Sequence, residues 1–122
     1  MELNEYQNKA MATCLPTCDN VSYMLMNLVG EVGELASKIA KDIRKGNVVI
    51  GGSVNNLIPE MPVDKWFDRQ EEYKKEAGDI LWQLAGFCHT MGWTLEEVGK
   101  QNLEKLADRK RRDKIDGDGD NR

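Results

Sequence analysis

Four carboxylates carry the chemistry this chain is equipped to do. They come as two pairs, Glu31-x-x-Glu34 within GEVGEL and Glu76-x-x-Asp79 within KKEAGDILW. In a helix, residues three apart share a face, so each pair projects two carboxylates to one side. Hard oxygen donors from two helices suit a hard cation such as Mg²⁺, which also takes phosphate oxygens from a substrate. The expected chemistry is metal-assisted and acts on a phosphate compound. A single pair of this kind is common on solvated helices, where Lys38, Lys41, Lys74 and Lys75 would balance it. Two pairs on successive long helices, both flanked by glycine, are less ordinary. Gly30, Gly33 and Gly78 each cost about 1 kcal/mol in a helix interior, which predicts close approach of a helix or ligand beside the acids.

The elements that must position these groups are helical. Leu3 to about Thr13 reads as a first short helix, closed before Pro16 because the residue preceding proline is steered away from helix. Asp19 or Asn20 can cap a second helix running to about Lys45, with Gly46 as the residue that ends it. Leu28, Val32, Leu35 and Ile39 form its apolar stripe, and Glu31 and Glu34 fall to one side of that stripe. From Asn47 to Pro62 the periodicity breaks; VVI–GG–SV is expected to form a small hairpin or a loop. A third helix, from Val63–Asp64 to about Thr90, carries the stripe Tyr73, Ala77, Ile80, Leu84 and Phe87, with Glu76 and Asp79 on the corresponding side. Gly92 stops it. Thr94 caps a fourth helix with Glu97 completing a capping box, and Leu95, Val98 and Leu106 are expected to hold it on the core. The fold class is therefore all-α, a bundle of about four main helices, with one domain over residues 1–115 and an irregular tail over 116–122. Packing the two long stripes together would bring the acidic edges into one groove, where unpaired carboxylates repel and a cation is the natural partner.

Composition narrows the function. The 122 residues carry a formal charge of −4, which argues against nucleic acid as a partner because that binding rests on Lys and Arg. No run reaches the ~18 apolar residues of a membrane span, and the start MELNEYQNKA is polar where a secretory signal is basic and then apolar. Cys14, Cys18 and Cys88 are odd in number and read as free thiols in a reducing cytoplasm. The tail's DGDGDN imitates the start of a calcium loop but lacks its glycine and twelfth-position glutamate. A di-iron bundle would need Glu-x-x-His pairs, and His89 is not placed to supply one. A bundle this small is marginal alone, so a homodimer or homotetramer is expected. Trp82 is assigned to a subunit interface, and Trp66, Phe67, Tyr6 and Gln7 are minor candidates for base contact.

The two motifs and their surroundings resemble the MazG-like family of all-α nucleoside triphosphate pyrophosphohydrolases. LVGEVGEL is similar to the family's G-E-x-G-E segment and EAGDILWQLA to its E-L-G-D-V-L-W-Y-L-A segment. NLEKLADRKRR and the closing GDGDNR resemble the ending of one subgroup, while the spacer between the acidic pairs is longer than usual. The resemblance implies Mg²⁺, or Mn²⁺ in its place, held by Glu31, Glu34, Glu76 and Asp79. It also implies a nucleoside triphosphate substrate cleaved to monophosphate and pyrophosphate.

The residues Asn102, Lys105, Arg109 and Arg112 share one side of the fourth helix. They are assigned to substrate binding, the first two through the family's N-x-x-K pattern. Lys105 and its arginine neighbours would stabilise the departing pyrophosphate, and Glu34 would take the proton of the attacking water. Phosphoribosyl-ATP stays open as the substrate within the enzyme class. A nonenzymatic helical interaction module stays open outside it.

Overall fold

The computed structural model describes residues 1–52 and 56–122. Among them are four α-helices, α1 (Leu3–Met11), α2 (Val21–Arg44), α3 (Val63–Thr90) and α4 (Leu95–Arg111). A two-stranded antiparallel ribbon, β1 (Val48–Ile50) and β2 (Leu57–Pro59), stands between α2 and α3. The chain is all-α apart from this ribbon, as its periodicity implies. Val48, Val49 and Ile50 pair with Pro59, Ile58 and Leu57. The second arm is thus Leu57–Pro59, and the expected arm at Ser53–Val54 falls outside the described residues.

Local chemistry explains where the helices begin and end. Asn20 Oδ1 accepts the Tyr23 amide at 2.8 Å and opens α2, and Gly46, at φ +73°, closes it. Gly92, at φ +77°, reverses the chain between α3 and α4. Thr94 Oγ1 accepts the Glu97 amide at 3.1 Å. The Glu97 carboxylate bonds the Thr94 hydroxyl at 3.2 Å, so only half of the expected capping box forms.

The two long helices, roughly 36 and 42 Å by their residue counts, pack along each other. At one end Met24, fully buried, lies over Gly86, where a Cβ would stand 2.3 Å from its sulfur. At the other end buried Asp42 accepts two hydrogen bonds from Arg69 (2.9 and 2.7 Å), one from the Tyr73 hydroxyl and one from Asn47 at 3.3 Å. That cluster ties the end of α2 to the ribbon and to the start of α3. Between the two anchors lie Glu31 and Glu76. The seam therefore runs along the acidic edge, and the apolar stripes sit to one side of it. Val32 stays 48 % exposed and Leu84 38 % exposed.

The short helix α1 crosses the C-terminal half of α3 and is held by two side chains. Gln7, buried, donates to the Ala85 carbonyl at 3.2 Å and the Trp93 carbonyl at 3.0 Å, and accepts the Leu95 amide at 3.0 Å. Trp82 donates its indole N–H to the Ala10 carbonyl and the Thr13 hydroxyl. Buried Gln7 is thus spent on backbone groups within the chain and is not exposed for base contact, and Trp82 spends its indole N–H on α1 and on Thr13 beyond it. Ala85, Cys88 and Leu95 form the small core here, with Tyr6, Met11 and Val98 packed against it. Leu106, expected in the core, is 39 % exposed.

Candidate metal and phosphate site

Glu31 and Glu34 rise from the middle of α2, and Glu76 faces them from α3. One carboxylate oxygen of each lies within 4.8 Å of the others. Glu76 is buried, Glu31 half-buried and Glu34 exposed. The predicted fourth acid, Asp79, is exposed and falls outside this three-oxygen cluster. It stays close enough for its charge to act on Glu31 and on Tyr6 of α1.

The electrostatics of the cluster are unfavourable as it stands. Burial pushes the Glu31 carboxyl above the ordinary carboxylate range, and the charges of Glu34, Asp79 and Glu76 push it further, while a 3.3 Å hydrogen bond from Asn27 pulls the other way. Glu76 is partly compensated by Lys38, whose ammonium stands 2.5 Å from Glu76 Oε1 and 3.3 Å from Glu72 Oε2. The second oxygens of Glu31 and Glu76 are both buried without a hydrogen-bond partner. An orphaned buried carboxylate oxygen costs free energy unless a cation or donor meets it. Two such atoms in one three-acid cluster fit a hard divalent cation with oxygen preference.

The flanking glycines do not have the role their positions suggest. A Cβ at Gly33 or Gly78 would meet nothing within 4 Å, and at Gly30 only Asn27 Oδ1 at an ordinary 3.5 Å. Among the described residues no helix approaches closely there. Close helix packing falls on Gly86 instead, against Met24.

The predicted basic face is already engaged within α4 and the tail. The C-terminal tail folds back along α4, so that Asp120 Oδ1 stands 3.0 Å from both Lys105 Nζ and an Arg109 nitrogen. Arg109, buried, also donates to the Gly119 and Asp120 carbonyls. Arg112 binds Asp108 at 2.8 Å and the Arg122 carbonyl at 2.6 Å. Asn102 and Lys105 line a cavity of about 460 Å³ with Val98, Gln101 and Asp120. Among the described residues no ion pair joins this face to Glu31, Glu34, Glu76 or Asp79.

Lys38, in the sequence only one of four lysines that could balance a solvated acidic pair, instead bridges Glu76 and Glu72, and no spacing marks the Asp42–Arg69–Tyr73 cluster. Nothing local links Asp42 to Arg69 across the intervening excursion.

Fold and site together define an all-α domain whose two long helices assemble a carboxylate cluster suited to a cation. The MazG nucleotide pyrophosphohydrolase domain matches residues 20–112, and the chain belongs to that family of hydrolases. A relative from Mycobacterium phage L5, the Gene 37 protein, is 33 % identical over 129 residues and is covered over the full length of both chains. No solved structure matches. No helix among the described residues is long and apolar enough to cross a membrane.

Proposed function

We propose that this chain hydrolyses nucleoside triphosphates to nucleoside monophosphate and pyrophosphate. The observation that carries the reading is the pair of buried, unpartnered oxygens on Glu31 and Glu76 inside the three-acid cluster. Mg²⁺, or Mn²⁺ in its place, held by Glu31, Glu34 and Glu76 with Asp79 beside them, would supply Lewis-acid activation of phosphate and water.

The residues of the chain then have distinct tasks. Glu34 is exposed, and among the described residues it has no hydrogen-bond partner, so it is free to accept the proton of an attacking water. The water oxygen bonds to the α-phosphorus as the bond from that phosphorus to the α,β-bridging oxygen breaks. Pyrophosphate leaves with the electron pair. Glu31 and Glu76 are fixed on rigid helices, so their geometry needs little reorganisation as charge develops. Asn102 and Lys105 contact the nucleotide from their cavity when Asp120 yields, and Arg109 and Arg112 hold the tail that forms its wall.

The half-exposed apolar stripes of α2 and α3 support assembly into a homodimer or homotetramer, and the free cysteines suit a reducing cytoplasm. A panel of ribo- and deoxyribonucleoside triphosphates with phosphoribosyl-ATP, incubated with Mg²⁺, tests the reading. Monophosphate and pyrophosphate in equal amounts from at least one nucleoside triphosphate support it. Release from phosphoribosyl-ATP alone, or from no compound, removes it.

A further inference from the structure

We propose that a cationic groove on the far half of α2 binds the pyrophosphate portion of the triphosphate and holds it as it leaves; the inference rests on the reading above. The groove is a cavity of about 280 Å³ lined by Lys38, Lys41, Asp42, Lys45, Asn47 and Arg69. That is below the ~300–1,000 Å³ typical of pockets for whole organic ligands. It suits a compact anion better than an entire nucleotide.

Helical spacing makes the groove continuous with the acidic cluster. Glu34, Lys38, Lys41 and Lys45 follow steps of four, three and four along α2, so they form one row. Lys38 lies roughly 6 Å along the axis from Glu34 and Lys41 roughly 10 Å. Lys38 touches both regions: its ammonium is on Glu76 and Glu72, and its side chain lines the cavity. A triphosphate with its α-phosphorus at the acids therefore extends its β- and γ-phosphates into this row.

Charge points the same way. Of the cations lining the cavity, Lys38 is paired with Glu76 and Glu72 and Arg69 with Asp42, which leaves Lys41 and Lys45 to meet an anion, in a chain whose formal charge is −4. Asp42 is already satisfied by Arg69, Tyr73 and Asn47, so it offers little repulsion to an incoming anion. Among the described residues Lys41 and Lys45 have no acidic partner within ion-pair distance. The cations of α4 differ: Lys105 and Arg109 are spent on Asp120. Bond cleavage at the α-phosphorus places the new negative charge on the departing pyrophosphate, where unpaired ammonium groups lower its energy most.

The test is isothermal titration of inorganic pyrophosphate, with product inhibition and KM for an active triphosphate measured beside it. Lys41→Gln/Lys45→Gln is compared with Lys9→Gln/Lys100→Gln, which makes the same charge change at remote positions. Loss of charge-assisted contacts predicts roughly tenfold weaker pyrophosphate binding, weaker product inhibition and a raised KM in the first variant only. Equal behaviour of the two variants overturns the groove even if pyrophosphate release stands. If no nucleoside triphosphate is cleaved but pyrophosphate binding still depends on Lys41 and Lys45, the proposed reaction fails while the anion site survives.

Discussion

Lys38 Nζ and Glu76 Oε1 are 2.5 Å apart, and this pair joins the acidic cluster to the cationic row beyond it. Glu76 is buried and its other oxygen has no partner, so Lys38 is its internal counterion. The hydrogen bond and charge of Glu76 and Glu72 raise the Lys38 pKa, so it stays charged throughout the neutral range. Lys38→Met removes the counterion and leaves the carboxylate buried alone. We expect a measurable loss of stability in urea unfolding of the metal-free protein, smaller than for a fully buried pair because Lys38 is partly solvated. Saturating Mg²⁺ should recover most of it. A Lys38→Met protein of wild-type stability without metal would contradict this role.

Glu31 predicts a trade between stability and metal binding. Its carboxyl is raised above the ordinary 4.5, by burial first and neighbouring carboxylates second. A raised acid destabilises the fold above its folded pKa and is relieved as pH falls from there toward the ordinary value. Glu31→Gln should therefore melt higher than wild type at neutral pH without metal, with the gap closing on acidification. It should also lose the rise in melting temperature that Mg²⁺ gives wild type by mass action, about 2.7 kcal/mol at a hundredfold excess over Kd. Retention of that rise in Glu31→Gln would remove Glu31 from the metal site.

The Asp42 cluster predicts the opposite pH dependence. Burial alone would raise this carboxyl, but hydrogen bonds from Tyr73, Arg69 and Asn47 and the Arg69 charge outweigh it and hold it below 3.8. Its contribution is present above the ordinary value and is lost as pH falls through the lowered folded one. Asp42→Asn, which leaves Arg69 without its carboxylate, should cost about 3 kcal/mol at pH 7. The difference from wild type should shrink below about pH 4, read by urea unfolding across pH. A pH-independent difference would contradict the assignment.

The tail predicts a local effect. Asp120 is held below its ordinary pKa by hydrogen bonds from Lys105 and Arg109 and by their charges, and Arg109 is buried beneath it. Asp120→Asn should lower the melting temperature and speed proteolysis beyond Asp113. Unchanged melting and cleavage would mean the tail contributes no anchoring.

How much of this was legible in the sequence depended on whether the signal was local. Helix limits followed from Asn20, Gly46, Gly92 and Thr94, because capping and left-handed glycine act within a few residues. The acidic pairs were legible because i, i+3 spacing is a local code, and the structure gathers three of the four. Asp79 is exposed and lies outside the three-oxygen cluster. The line of contact between α2 and α3 was not legible. It follows Met24, Glu31 and Asp42 because Gly86 admits Met24 at one end and Arg69 neutralises Asp42 at the other. Both pairings span long sequence separations that periodicity does not encode. Gln7 is closed to base contact for a related reason: its partners are the Ala85 and Trp93 carbonyls and the Leu95 amide, far away in sequence.

The most direct test of the central claim is ³¹P NMR of products from an active nucleoside triphosphate hydrolysed with Mg²⁺ in ¹⁸O-water. Equimolar monophosphate and pyrophosphate are expected, with the label in the monophosphate, because water attacks the α-phosphorus. Glu34→Gln and Asp79→Asn should each slow the reaction by on the order of a hundredfold or more. Label in pyrophosphate, nucleoside diphosphate with inorganic phosphate as products, or undiminished rates in both variants would contradict the account.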